Sequence, residues 1–434
     1  MRPSLLAACS LVLLTATSTS NAADVAVPAF YRHVATLKAD QPLGTVVAKE
    51  PVATQIPGAE AWRIAYVSSD ALERRTLSTA LVIAPKGRPP HGGRPIVAWA
   101  HGTTGTAQNC GPSQVEDPAQ EINEYNLIGG TSWTDFGVPA VNQLIKSGYV
   151  VVATDYQGLG GGGGFHQYAV VATQGRDIIN SVRAVGSLKL SGGAKKAVAY
   201  GWSQGGGAVL GAASMGGYIG STGTAFDGVQ FVGFVALAPH EVEVLIPPEA
   251  TTDDAAAQKL VGGLANMFSD SAGNFAHYAM TMWATAVAYP ELKLTDLFTD
   301  DGATALNEIF SKKCMHPGAD TIVFSFGNSY RSLLKSEPTN ATAWMKRLVD
   351  GSVTQDMPVA PVIIYFGDKD VTNNPIMGQL YQERRCAKGA NVARVQLPGE
   401  QNHFTTPGVS EPLLVPWIAD RFAGKPAANG CPAH

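Results

Sequence analysis

The chain has 434 residues, of which 45% are hydrophobic and only 15% charged, with a formal net charge of -4. That is ample apolar material for a sizeable core, in one large domain or two smaller ones. No basic stripe is present, which excludes nucleic acid as a partner.

At the N-terminus Arg2 precedes an apolar run over 5–14 and a stretch of small and polar residues ending at Ala22. This is the pattern of a secretory signal peptide over 1–22. The apolar run is shorter than the ~20 residues that a membrane-spanning helix needs, and no later stretch qualifies. No stable membrane span is expected, and the protein is expected to be secreted or periplasmic. Leu6-Ala-Ala-Cys9 resembles a lipobox, but it falls so early that almost no apolar segment precedes it, and lipidation is the lesser alternative. Setting Cys9 aside leaves Cys110, Cys314, Cys386 and Cys431, an even set that favours two disulfides in an exported chain, with three possible connectivities. Free buried thiols are the alternative. No pair of cysteines or histidines has zinc-ligand spacing, so no metal site is expected.

Residues 24–44 are mixed and are read as wrapping the surface. Alternation over 62–67 and 76–83 predicts two strands of an antiparallel hairpin at a sheet edge, and 85–95 is a loop rich in proline and glycine. A regular rhythm follows. Strands are predicted at 96–100, 149–154, 197–200 and 229–237, with helices at 138–147, 173–189 and 204–214. Such alternation implies an α/β fold with a mostly parallel central sheet and helices on both faces. Over 239–358 the rhythm breaks into helical candidates at 254–268, 274–288, 303–312 and 341–349, with one possible strand at 321–326. It resumes with strands at 359–366 and 392–397 and helices at 375–387 and 412–422. The expected organisation is a core of 24–238 and 359–434, with 239–358 as an inserted, mainly helical cap.

The chemistry centres on Gly201-Trp-Ser-Gln-Gly205. A GxSxG pattern between a short apolar strand and a helix reads as a sharp elbow with Ser203 at its tip; the plainer alternative is a glycine-rich helix start capped by serine. In a parallel sheet, functional loops gather at the carboxyl ends of the strands. Two further loops there carry Asp368 and Asp370, and then His403. A serine hydroxyl needs a neutral imidazole to take its proton and a carboxylate to hold the imidazole's tautomer. Ser203 is therefore the expected nucleophile, His403 the base, and Asp370 the acid ahead of Asp368. The loop after 96–100 holds His101-Gly-Thr103. Backbone N–H groups of Thr103 and Gln204 are the expected oxyanion hole, with His101 bracing its loop. The run Gly158–Gly164 contains a literal GxGxxG, but it is nearly all glycine and opens no helix, so it is read as a flexible loop beside the site. In the cap, Phe268, Tyr278, Met280, Met282 and Trp283 are either core or pocket. Met280, Met282 and Trp283 are the expected roof over the nucleophile.

The four cysteines divide by height. Helices that follow strands descend, so Cys386 and Cys431 lie near the bottom of the sheet, whereas Cys110 and Cys314 lie near the top. A strand separates these levels by roughly 17 to 20 Å, beyond the ~7 Å limit between bridged Cα atoms. The expected pairs are Cys110 with Cys314 and Cys386 with Cys431.

The segments AWAHGTTG at 98–105, ATDYQGLG at 153–160, YGWSQGG at 200–206, PVIIYFGDKDV at 361–371 and LPGEQNHF at 397–404 together resemble the secretory lipase family of α/β-hydrolases. The resemblance implies an α/β-hydrolase fold, a Ser203, Asp370, His403 triad with the family's GxxD spacing selecting Asp370, a cap at 239–358, small-molecule or lipid esters as substrates, and no cofactor. It carries no sign of oligomeric state. Trp202 departs from the pattern, since GWSQGG is also reminiscent of dipeptidyl-peptidase-type enzymes. Those carry a large β-propeller ahead of the hydrolase domain, for which there is no room here, and a serine aminopeptidase or dipeptidyl-peptidase-like hydrolase is the runner-up. A non-catalytic binding protein of this fold is the third reading, and such proteins commonly lack a triad member.

Overall fold

The computed structural model describes residues 27–431. The expected leader over 1–22 and Cys9 lie outside the described residues. Nine strands form one sheet: β1 (Val46–Val52), β2 (Ala59–Ser69), β3 (Arg75–Pro85), β4 (Ile96–Ala100), β5 (Val150–Gln157), β6 (Lys196–Trp202), β7 (Gln230–Leu237), β8 (Val362–Phe366) and β9 (Val392–Gln396), in the spatial order β1-β2-β3-β5-β4-β6-β7-β8-β9. The first three strands meet each other, and β3 meets β5, in antiparallel register; from β5 through β9 every pairing is parallel.

The central strands are mainly apolar because both of their faces are covered. In β4, Ile96, Ala98 and Ala100 pack in one core with α3 (Val171–Ser187), α4 (Gln204–Ser214) and α11 (Ile376–Cys386). Val97 and Trp99 point the other way, into a second core with α2 (Val141–Lys146) and α12 (Thr406–Phe422). The period of two along the strand thus sorts its side chains between two helical layers. Two short helices, α1 (Ala29–Val34) and α5 (Gly216–Ile219), lie outside this plan.

Two sequence expectations are corrected. The predicted hairpin is present as β2 and β3, but β1 covers β2, so the hairpin is not the edge of the sheet. The edge strand β1 carries Lys49, Glu50 and Pro51 and is only half buried, a composition that suits an edge and hides its strand character. Residues 321–326 are not a strand but the second half of α9 (Met315–Phe326). Buried Met315, Gly318 and Ile322 recur at helical spacing there, and packing overrides the β-branched preference of Thr-Ile-Val-Phe.

Between β7 and β8 the described chain runs through α6 (Asp254–Met267), α7 (Ala272–Ala288), α8 (Asp300–Phe310), α9 and α10 (Ala341–Ser352). These helices gather around an apolar cluster of their own, with Phe298, Leu306 and Trp344 fully buried. The cluster is tied to the loop after β4. Cys314 is bonded to Cys110 with Cα atoms 5.4 Å apart, Met315 N donates to Thr104 O at 2.8 Å, and Thr106 Oγ1 donates to Phe310 O at 2.6 Å. A second disulfide joins Cys386 at the end of α11 to Cys431, with Cα atoms 5.6 Å apart.

The two disulfides close loops of very different length, with sequence separations of 204 and 45 residues. Since the loop-closure entropy withheld from the unfolded chain grows with the logarithm of that length, replacing Cys110 and Cys314 together by serine should cost about 1 kcal/mol more stability than replacing Cys386 and Cys431. Urea denaturation of the two double variants tests this; the opposite order would show that packing around the bridges outweighs chain entropy.

Candidate active site

The turn between β6 and α4 places Ser203 at φ 58° and ψ -118°, a strained conformation for a residue with a side chain. It is held from the next strand: Ser203 N donates to Leu237 O at 2.9 Å, and His240 N donates to Ser203 O at 3.0 Å. The flanking glycines are needed for closeness rather than for positive φ. A Cβ on Gly205 would run into Ala100 O, and one on Gly201 into Gly205 O.

Three loops converge on this serine. His403, from the loop between β9 and α12, places Nε2 2.8 Å from Ser203 Oγ and Nδ1 2.7 Å from Asp370 Oδ2. Asp370, from the loop after β8, accepts through its other oxygen from the N–H groups of Thr372 and Asn373 at 2.9 and 2.8 Å. All three side chains are buried. Asp368 instead accepts from Gln401 N at 3.3 Å and lies beside Lys369. Of the two candidate carboxylates, then, only Asp370 reaches the imidazole.

Trp202, the residue that departs from the family pattern, links these loops. Its indole N–H donates to His403 O at 3.0 Å, and its ring lies so close to Gly102 that a Cβ there would clash with it. Thr103 follows, its hydroxyl 2.9 Å from Tyr168 OH. Among the described residues, the backbone N–H groups of Thr103 and Gln204 have no protein acceptor, and Gln204 opens helix α4, where such donors are free to meet a developing negative charge.

The side chain of Gln204 is fixed by a residue that sequence reasoning passed over. His166 donates from Nδ1 to Gln157 O at 2.8 Å and accepts at Nε2 from Gln204 Nε2, also at 2.8 Å. Burial pushes the His166 imidazole down to about 3, so it stays neutral and keeps that acceptor. The first part of the glycine run before it is packed, whereas Gly163 and Gly164 are exposed. A Cβ on Gly160 would overlap the Thr79 hydroxyl, one on Gly162 would meet Leu77 O, and one on Gly158 would meet His166 itself. His101 braces its own loop through Nδ1 to Gly102 O at 2.6 Å. Asn373 donates to Ala238 O at 3.0 Å and approaches Ser203 Oγ at 3.5 Å.

Two pockets meet at Ser203. The first, about 560 Å³, is mainly apolar, with Val242, Leu264, Phe268, Tyr278 and Met282 among its walls. The second, about 1180 Å³, is more polar, and His403, Thr103, Asp135, Asp270 and Asp320 are among its lining. Helix α7 presents Asn274, His277, Tyr278, Thr281 and Met282 to the first pocket, an i, i+3, i+4, i+7, i+8 stripe on one face. Met280 and Trp283 fall outside that stripe and are buried in the helical cluster, where Trp283 Nε1 donates to Asn307 Oδ1 at 3.1 Å and the ring packs against Phe165 and Phe310. Of the three expected roof residues, Met282 alone lines a pocket at Ser203. The polar members of the stripe, Asn274, His277 and Thr281, carry no apolar signal in the sequence that would mark them as pocket residues.

A family profile described as "Secretory lipase" matches residues 126–238 and 264–430. The chain is 24% identical over 389 residues to Lipase 9 of Candida albicans, covering 85% of this chain and 75% of that protein, and 24% identical over 409 residues to Lipase 5 of the same organism, covering 85% and 73%. Among solved structures it is similar to Candida antarctica lipase A, with TM-score 0.66 and 18% identity over 93% of this chain and 88% of that one. It is similar also to the rice cell wall degrading esterase LipA from Xanthomonas oryzae, with TM-score 0.61 and 17% identity over 88% and 98%. The fold is that of the α/β-hydrolases.

The two carboxylates of the β8 loop give a direct comparison. Asp370→Asn removes the acceptor of His403 Nδ1–H and should lower kcat on an ester substrate by on the order of 10⁴-fold. Asp368→Asn should change it by less than about tenfold, because that carboxylate meets only the backbone of a neighbouring loop and the exposed ammonium of Lys369. A reversed pair of effects would move the acid to Asp368.

Proposed function

The chain belongs to the secretory lipase family and is a carboxylic-ester hydrolase, and from that premise we propose that it works through an acyl-enzyme on Ser203. His403 Nε2 takes the serine proton as Oγ attacks the ester carbonyl; Asp370 holds the imidazole by its Nδ1–H and offsets the positive charge that forms there. The N–H groups of Thr103 and Gln204 bind the oxyanion. His403 then hands the proton to the leaving alcohol, and water repeats the sequence to release the acid. The observation that carries this reading is the continuous hydrogen-bonded line Ser203–His403–Asp370, at 2.8 and 2.7 Å.

The helices between β7 and β8 serve as a roof on this reading, and the apolar pocket beneath α6 and α7 takes the acyl chain. Each buried CH₂ there contributes about 0.8 kcal/mol. Among the described residues no helix is long and apolar enough to cross a membrane. The secretory family, the leader-like residues 1–22 and the two disulfides suit an exported protein, secreted or periplasmic, acting on small-molecule or lipid esters without a cofactor.

Assays on p-nitrophenyl esters of short and long acids beside aminoacyl p-nitroanilides should give turnover of the esters only. A preference for the anilides would support the peptidase reading, and no turnover of either would support the binding protein. Ser203→Ala should lower kcat/KM by on the order of 10⁴-fold or more while the protein stays folded. A phosphonate label mapped to another serine would sink the acyl-enzyme.

Met282 and Trp283 are adjacent in sequence but face different surroundings. Met282→Ala should shift the chain-length profile of kcat/KM toward longer acids by enlarging the pocket. Trp283→Ala should leave the profile in place and cost about 3 to 5 kcal/mol of stability, as truncation of a buried aromatic does. A profile unmoved by Met282→Ala would place the acyl chain elsewhere.

A further inference from the structure

Resting on that reading, the position of His403 decides which half of the ester enters which pocket. The imidazole that protonates the leaving oxygen must lie beside it. His403 lines the wider pocket and is not among the walls of the apolar one. With the acyl chain in the apolar pocket, the alcohol half projects into the wider one.

That second pocket is polar, lined by groups that donate as well as groups that accept hydrogen bonds. Asp135, Asp270 and Asp320 contribute carboxylates to its lining, and no lysine or arginine does. His277, on the α7 stripe, borders both pockets, as do Ser203, Asn274 and Thr372. Its Nδ1 lies 2.9 Å from Gly273 O, one turn back on the helix. A carbonyl can only accept, so Nδ1 carries the ring proton and Nε2 keeps its lone pair. Among the described residues Nε2 has no protein partner. Burial and the neighbouring His403 imidazole push His277 down to about 4; at neutral pH it is an acceptor and cannot donate.

An acceptor without a partner in the chain, on a side chain that borders the pocket of the leaving alcohol, asks for a donor on the substrate. A plain alkanol offers none: once esterified, its only oxygen is the ester oxygen. We propose that the wider pocket receives a hydroxylated alcohol and that His277 Nε2 accepts a hydrogen bond from a free hydroxyl of that alcohol, so that the preferred substrates are partial esters of polyols. A site built to pair a substrate hydroxyl discriminates against the analogue lacking it, because its own polar group is then left unpaired. The same lone pair gives a quaternary ammonium nothing to bond, although the carboxylates would attract its charge.

The test uses the full-length protein and three butyrate esters: glycerol monobutyrate, propyl butyrate and butyrylcholine. The wild-type enzyme should show kcat/KM for the glycerol ester about tenfold or more above that for the propyl ester. His277→Leu should bring that ratio down about tenfold, and His277→Gln, which can place an amide oxygen near the former Nε2, should restore part of it. A wild-type ratio near one overturns the proposal without any variant, as does a ratio that His277→Leu leaves unaltered. Preference for butyrylcholine over the glycerol ester also overturns it, since charge rather than a hydroxyl would then be selected. Turnover of propyl butyrate with Ser203 labelled by phosphonate keeps the acyl-enzyme reading standing through each of these failures. Absence of both turnover and label sinks that reading and this one together.

Discussion

The edge of this sheet is organised by how closely the turn after β6 can approach β4. Register places Ala100 of β4 directly beside Gly201 of β6, and Gly205 in the first turn of α4 rests against Ala100 O with no room for a Cβ. A methyl group at 205 would lift the helix start away from the strand. Ser203, the Gln204 N–H and the loop carrying Thr103 are all attached to these two segments, so their spacing would open together. Displacements of ~1 Å in such a constellation can cost on the order of 10²-fold in rate. Strain at Ser203 itself, about 1 to 3 kcal/mol for a side chain at positive φ, persists because the end of β7 holds its N–H and the loop after β7 holds its carbonyl.

Trp202 shows how a residue outside the family pattern takes a structural task. Its indole N–H is spent on His403 O, and its ring covers Gly102. The base, the elbow and the loop after β4 are thereby linked through one rigid side chain. A smaller residue here would leave the His403 carbonyl to find another donor and open space above Gly102. Resemblance to dipeptidyl-peptidase-type motifs at this position therefore has a local explanation in packing that says nothing of peptide chemistry.

The parts of the fold legible in the sequence were those with one dominant cause. Strands buried on both faces read as unbroken apolar runs, and β4 to β9 were found within a few residues. The elbow declared itself through two glycines around a serine at a strand-to-helix junction. What escaped were elements whose identity depends on remote partners. In β1, charged residues and a proline mask an edge strand. In α9, strand-forming residues are held in a helix that begins at a disulfide-bonded cysteine. Met282 and Trp283 differ by one residue and about 100° around α7, a phase that no single-residue property reveals. His166 and Asn373 touch Gln204 and Ser203 only because the loops after β5 and β8 converge on the turn after β6 from strands one place removed on either side of it.

The helical segment over the site is anchored on two sides, and this bears on how a substrate reaches Ser203. Toward β4 it is held by the Cys110–Cys314 bond and the hydrogen bonds at Thr104 and Thr106. Its root after β7 is held by Glu243, which lies 3.5 and 3.6 Å from the guanidinium groups of Arg384 and Arg385 on α11, and by Glu241, which accepts from Thr354 at 3.1 Å. Swinging the whole segment open would break a buried ion pair and a covalent bond together. Access is better served by the wider pocket, whose walls include the exposed residues Asp270, Asp320 and Val371. On the proposed reading, an ester arriving by that route would thread its apolar chain past Ser203 into the apolar pocket and leave its alcohol in the polar one. The shape of a fixed roof, rather than the opening of a lid, then sets which esters fit.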